Sequence, residues 1–190
     1  EELPVGDLNV ALKQLEAKVG PLLAELRLGH AGIEVMGTPR RLVVHVRDLA
    51  RRQTARARPV KGPPAVRAYD DRGKPTEAAR GFAKSAGVPV TALQTRDLDG
   101  GKYVVAEIRE AGQPSTEVLA ESLPNLLASL QFEQPMRWNG NGATFSRPIR
   151  WMLALHGGSL ISFEYAGLQS GRTTRRSRTS DPEQIRVKTP

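Results

Sequence analysis

The 190-residue chain contains no cysteine. That excludes disulfides, thiolate metal sites and cysteine nucleophiles together, and it fits a reducing cytoplasm, the expected compartment. Aromatic residues are scarce at 5%, with two tryptophans, Trp138 and Trp151. No apolar run approaches the ~20 residues of a membrane-spanning helix. The longest, Ile149 to His156, is interrupted by Arg150, and no membrane partner is expected. The start, Glu1-Glu2-Leu3-Pro4, has neither the basic nor the apolar part of a signal peptide.

Reactive clusters are equally sparse. His30, His45 and His156 stand far apart, without the spacing of a zinc site, and His45 and His156 read as satisfied structural histidines. Neither a phosphate-binding Gly-x-x-x-x-Gly-Lys loop nor a dinucleotide Gly-x-Gly-x-x-Gly is present. Asp70 and Asp71 belong to a turn ahead of Gly73, while Asp97 and Asp99 flank Gly100-Gly101. Asp70 and Asp71 make a poor acid–base couple, because adjacent strand residues point apart, and Asp97 and Asp99 read as solvated turn residues. No catalytic residue, metal site or cofactor is expected within the chain.

What the chain does have is positive charge. Its formal net charge is +8, and arginine outnumbers lysine by about three to one. Arginine's planar fork suits bidentate phosphate contacts. Residues 40 to 61 hold Arg40, Arg41, Arg47, Arg51, Arg52, Arg56, Arg58 and Lys61 against the single acid Asp48. Arg56 and Arg58 alternate with Ala55 and Ala57, so they share one strand face about 7 Å apart, on the order of a phosphate spacing.

A second region has no acid between Glu133 and Glu164 but contains Arg137, Arg147 and Arg150 with Trp138, Phe145 and Trp151. Arg172, Arg175, Arg176 and Arg178 follow in a turn-rich segment. Basic residues among aromatics suit a surface that meets RNA phosphates and stacks on an exposed base. Trp151, in an apolar strand, reads as core; Trp138, before a Gly-rich turn, is open between core and stacking.

Local patterns give mixed elements. Asp7 is a candidate cap for a helix bearing Leu8, Leu12, Leu15, Val19, Leu22 and Leu26, with Pro21 either kinking it or opening a second helix. Ile33–Met36 and Arg41–Val46 read as strands around the turn Gly37-Thr38-Pro39. Lys61-Gly62-Pro63-Pro64 ends the arginine strand. A short helix opens at Pro75-Thr76-Glu77 and closes at Gly87. Asp99-Gly100-Gly101 turns into a strand from Tyr103 to Glu110. Ser115 is expected to cap a helix that Pro124 bends or splits, and Ile149–His156 to form a strand that Gly157-Gly158 returns. The expected class is α+β, with a mixed, largely antiparallel sheet and packed helices.

Several stretches, in this order, carry a family resemblance. They are Glu1-Glu2-Leu3-Pro4, Thr38-Pro39-Arg40-Arg41-Leu42, Lys61-Gly62-Pro63-Pro64 and Asp71-x-Gly73-x-Pro75-Thr76-x-Ala78-Ala79-x-Gly81-Phe82-Ala83. Met136-Arg137-Trp138, Phe145-x-Arg147-Pro148-Ile149-Arg150-Trp151 and Gly171-Arg172-Thr173-Thr174 complete the set. Together they resemble the N-terminal region of the bacterial glycyl-tRNA synthetase beta subunit.

The resemblance implies a B3/B4-like module over residues 1–190, an incomplete piece of a longer beta subunit. It implies a noncatalytic tRNA-binding and scaffold role in glycine–tRNA ligase. ATP and Mg2+ would be used by the catalytic alpha part. The partners would be glycine-accepting tRNA, the alpha subunit or a fused alpha part, and the rest of the beta subunit. An editing-type hydrolase on a B3/B4-like scaffold and a pure subunit-docking module are the alternatives. After Thr174 the family's Gly-His-Arg-Phe pattern gives way to Arg175-Arg176-Ser177-Arg178-Thr179. The change adds charge and removes a candidate stacking ring. Within Arg40-Arg41, strand alternation implies different duties: one guanidinium toward phosphate, the other pinning the turn to an acid or to carbonyls of a neighbouring loop.

Overall fold

The structure is a computed structural model describing residues 2–138, 140, 142–175 and 184–190. The chain divides into two compact units, Glu1–Thr54 with Gln113–Pro190, and Ala55–Gly112. Every strand pairing but one among the described residues is antiparallel. The fold class is therefore α+β, as the sequence pattern implies. No helix among the described residues is long and apolar enough to cross a membrane.

The first unit opens with α1, Val5–Glu25, which runs unbroken through Pro21. Pro4, not Asp7, occupies the N-cap, and the Asp7 carboxylate instead accepts a hydrogen bond from the buried Ser146 hydroxyl. Ala11, Leu15, Val19 and Leu23 form its buried stripe. The stripe faces a hairpin of β1, Gly32–Thr38, and β2, Arg41–Arg47, whose Ile33, Val35, Leu42 and Val46 join the same core. Gly37 permits the close approach: a Cβ there would lie 2.9 Å from Leu8 Cδ1 and 3.0 Å from Leu12 Cδ2. The register pairs Thr38 with Arg41, leaving Pro39-Arg40 as the turn. Leu3 N–H donates to the Pro39 carbonyl at 2.6 Å.

The second unit contains β3, Arg56–Pro64; α2, Ala65–Ala68; α3, Glu77–Ala86; β4, Gln94–Leu98; and β5, Gly101–Glu110. The sheet order is β3-β5-β4. Lys61-Gly62-Pro63-Pro64 forms the last four residues of β3, with an irregular register between Lys61 and Pro64. Ala79, Ala83 and Ala86 of α3 pack with Val104 and Ala106, and Gly87 closes the helix in the left-handed region.

The first unit resumes with α4, Ser115–Ala128, continuous through Pro124 and capped by Pro114 rather than Ser115. Ser115 is fully buried because its Oγ lies 3.0 Å from His156 Nδ1. The other ring nitrogen, Nε2, lies 3.0 Å from the Leu49 carbonyl. A carbonyl only accepts, so Nε2 carries the proton and the serine hydroxyl donates to Nδ1. His156 is the satisfied structural histidine the sequence suggests.

Short strands follow: β6, Met136–Arg137; β7, Thr144–Phe145; β8, Met152–Leu153; β9, Leu155–His156; β10, Ser159–Leu160; β11, Glu164–Tyr165; β12, Leu168–Gly171; β13, Thr173–Arg175; and β14, Gln184–Arg186. The expected strand over Ile149–His156 is in fact two pieces. Met152–Leu153 pairs in parallel with β12, and Leu155–His156 pairs with β10 across Gly157-Gly158.

Gln53 ties the two stretches of the first unit where the chain leaves and re-enters it. Its backbone N–H donates to Gln113 O at 2.9 Å, and its Oε1 accepts from Gln113 N and Arg27 Nη2, each at 3.2 Å. Its Nε2 donates to Leu26 O at 2.9 Å. Gln53→Ala leaves these half-buried groups short of partners and should cost about 1–3 kcal/mol, measured by denaturant unfolding.

Candidate nucleic-acid interface

In the second unit the candidate cations sit beside carboxylates. The β3–β5 register sets Arg56 opposite Glu110 and Arg58 opposite Ile108, so all three charged side chains share one face. Arg56 Nε lies 3.0 Å and Arg58 Nε 2.9 Å from the Glu110 carboxylate. Two guanidiniums thus share one acid. Lys61 Nζ reaches Asp99 at 2.6 Å and stands 3.8 Å from the centre of the Tyr103 ring.

The Lys61–Asp99 hydrogen bond raises the lysine pKa above its ordinary value and holds the Asp99 carboxyl below its own. The aspartate contribution is lost as pH falls through its depressed pKa; the lysine contribution is lost as pH rises through its raised one. The contact should therefore stay constant across the neutral range. An NMR titration of the Asp99 carboxyl should show a midpoint below that of an unfolded-chain aspartate, and Lys61→Met should move it upward.

The first unit differs. Arg41 donates from Nη2 to the carbonyl of Arg175, 134 residues away, while its Nε is buried without a partner among the described residues. It pins the Thr-Pro turn to a carbonyl, one of the two duties open to this pair, though the carbonyl belongs to strand β13 and not to a loop. Arg40, in the turn itself, is half-buried, and its backbone N–H bonds Thr38 Oγ1 at 3.3 Å. The Arg175 guanidinium carbon lies 5.5 Å from the centre of the Trp151 ring. Trp151 is half-buried, not the core residue its apolar neighbours suggest, and Arg150 beside it is exposed.

Arg172 Nη2 donates to Gly158 O at 3.1 Å, and Arg147 Nη1 to Ser146 O at 2.8 Å and toward Met136 Sδ at 3.6 Å. Arg137 is exposed on β6, whereas Trp138 is half-buried against the core. Arg51 and Arg52 are exposed; the Arg51 carbonyl accepts from Ser115 N at 2.9 Å, and Arg52 bridges Pro114. Arg176 and Arg178 lie outside the described residues.

The structure therefore brings Arg41, Arg175 and Trp151 into contact, with Arg40 and Arg150 as the sequence neighbours of Arg41 and Trp151. Among the described residues, Arg40, Arg41, Arg137, Arg147, Arg150, Arg172 and Arg175 have no carboxylate within salt-bridge reach, in contrast to Arg56, Arg58 and Lys61. The formal charge itself divides evenly between the units, so placement of acids makes the difference. Sequence reasoning missed Glu110, and it read Asp99 as a turn residue without its Lys61 partner. Period-two alternation would have put Glu110 on the same face as Arg56 had the pairing register been known.

Among the described residues no three potential ligands gather around a metal. A shallow cavity of about 410 Å3 is lined largely by small residues, including Ala128, Gly142 and Gly167, with Glu164 and Tyr165. The Glu164 carboxylate accepts from Gln169 Nε2 at 2.8 Å, and burial pushes the Tyr165 phenol pKa up.

The fold is thus a two-unit α+β one whose distinctive chemistry is guanidinium groups held by carbonyls and a ring. A family model described as glycyl-tRNA synthetase beta subunit matches residues 1–190. The chain belongs to the glycyl-tRNA synthetase beta subunit family, as the ordered motifs imply. It is 46% identical over 174 residues to the glycine–tRNA ligase beta subunit of Desulforamulus reducens, covering 92% of this chain and 25% of the relative. Over 188 residues it is 42% identical to the beta subunit of Anaeromyxobacter dehalogenans, covering 99% of this chain and 27% of that one. It is 43% identical over 174 residues to the chloroplastic/mitochondrial glycine–tRNA ligase 2 of Arabidopsis thaliana, with 92% and 16% covered. The chain spans about a quarter of the length of the bacterial relatives.

Glu110→Gln removes the acid shared by Arg56 and Arg58. It should raise the salt needed to elute the protein from a polyanion resin, measured against the unsubstituted chain.

Proposed function

We propose that this chain is a noncatalytic tRNA-contacting and scaffold part of a glycine–tRNA ligase. ATP and Mg2+ act on the alpha part, and the working partners are glycine-accepting tRNA, the alpha subunit or a fused alpha part, and the rest of the beta subunit. The compartment is the cytoplasm.

The observation that carries the RNA part of this reading is the set of first-unit arginines without carboxylate partners among the described residues. A guanidinium hydrogen-bonded to a carbonyl keeps its full formal charge, and a phosphate gains from it what a neighbouring carboxylate would otherwise have cancelled. The scaffold part is supported by the hairpin. Met36 and Val43 are cross-strand partners, exposed at 48% and 39%, on a surface suited to another part of the same enzyme.

The test is the salt dependence of tRNA binding. Arg40→Gln and Arg150→Gln should each lower the slope of log K against log salt by about one unit. Arg56→Gln and Arg58→Gln should change it by less than about half as much, because Glu110 already screens them. An unchanged slope for both first-unit substitutions overturns the reading.

A further inference from the structure

We propose that the Arg175 guanidinium and the Trp151 ring form a stacking subsite for an unpaired base in single-stranded RNA, with Arg40 and Arg150 serving its flanking phosphates. The proposal rests on the RNA-contacting reading above and names which RNA chemistry that surface takes.

Three observations carry it. First, the guanidinium carbon is 5.5 Å from the ring centre, within the ~6 Å reach of a cation–π contact. An indole and a guanidinium are both planar groups on which a base can stack, and this platform is half-buried, leaving part of it open to solvent.

Second, the position is built. Arg41 holds the Arg175 carbonyl, and β13 is paired on its other side with β14, Arg175 opposite Gln184. The backbone from which the guanidinium extends is therefore fixed. Arg41 is a positioning residue here, reaching RNA through Arg175.

Third, the arginines beside Trp151 and Arg41 in sequence stand outside every ion pair found among the described residues. Arg40 lies in the turn that Arg41 anchors, Arg150 precedes Trp151, and neither has a carboxylate within salt-bridge reach among the described residues. Duplex RNA offers phosphates to such a surface but keeps its base faces stacked inside the helix. A single strand offers both.

Trp151 supplies its own reporter. The chain has two tryptophans, so Trp138→Phe leaves Trp151 as the sole indole emitter. The probes are a short single-stranded RNA, the same strand annealed to its complement, and inorganic polyphosphate. Single-stranded RNA should quench Trp151, whereas duplex and polyphosphate should leave its emission nearly unchanged at comparable occupancy.

Arg175→Lys keeps the charge and removes the plane. It should weaken single-strand binding about tenfold and duplex binding by less than about twofold, with the salt slope unchanged. Far-UV ellipticity establishes first that each variant is folded. Should Trp138→Phe fail to fold, the Arg175→Lys comparison in the otherwise unsubstituted chain decides alone.

Equal loss on single strand and duplex overturns the stacking subsite, as does a Trp151 emission indifferent to bound single strand. Salt-dependent binding of all three polyanions with a silent Trp151 removes the subsite but leaves the phosphate interface standing. Absence of salt-dependent binding to any of them removes both.

Discussion

What a guanidinium in this chain can hold is decided by the group already beside it. Exposed ion pairs such as those of Arg56 and Arg58 with Glu110 contribute little to stability, about 0–1 kcal/mol each. Their larger effect is on the field outside. A phosphate approaching that face meets two positive groups and one negative one. Near Arg41 and Arg175 the neighbouring polar contacts are a carbonyl and an indole, which orient the cations without cancelling them. A simple count of basic residues misses this distinction.

The cationic neighbourhood depends in turn on packing remote from it in sequence. The Pro39-Arg40 turn joins the strands of a hairpin seated on α1, and the seat is close because Gly37 presents no Cβ to Leu8 and Leu12. Leu3 fastens the turn through the Pro39 carbonyl, and Asp7 at the same end of α1 is tied to the buried Ser146 hydroxyl beside Arg147. Apolar burial by Leu15, Val19, Leu23 and Val118 supplies the bulk of the support. The polar contacts add direction. Neither alone would bring residues 41 and 175 together.

Elements set by nearby residues were legible in the sequence. The α3 helix, its Gly87 stop and the Asp99-Gly100 turn follow from spacing and left-handed backbone positions. The α+β class follows from their mixture. Features set by distant residues were not legible. Ser115 has the chemistry of a cap, yet His156 occupies its hydroxyl and the cap falls one residue earlier. Ile149–His156 has the composition of a strand, yet two different partners, β12 and β10, divide it. Trp151 has apolar neighbours in sequence, but its ring meets Arg175, whose position depends on a pairing no local pattern encodes. The same limit hid Glu110 from a reading that had singled out Arg56 and Arg58.

The choice of a carbonyl as the partner of Arg41 has a functional logic. A carboxylate could anchor the turn equally well, with a stronger contact, but it would place negative charge beside Arg175 and Arg40 and weaken both toward an anion. A carbonyl anchors while leaving the net charge intact. The arrangement has a cost, since Arg41 Nε is buried without a partner among the described residues, and such a group loses its hydration on folding. On the proposed reading, holding the Arg175 backbone beforehand leaves less conformational freedom to be lost on binding. An orphaned guanidinium nitrogen is a poor bargain for stability alone. On the RNA-contacting reading proposed above, the arrangement leaves Arg175 beside the Trp151 ring with no carboxylate partner among the described residues.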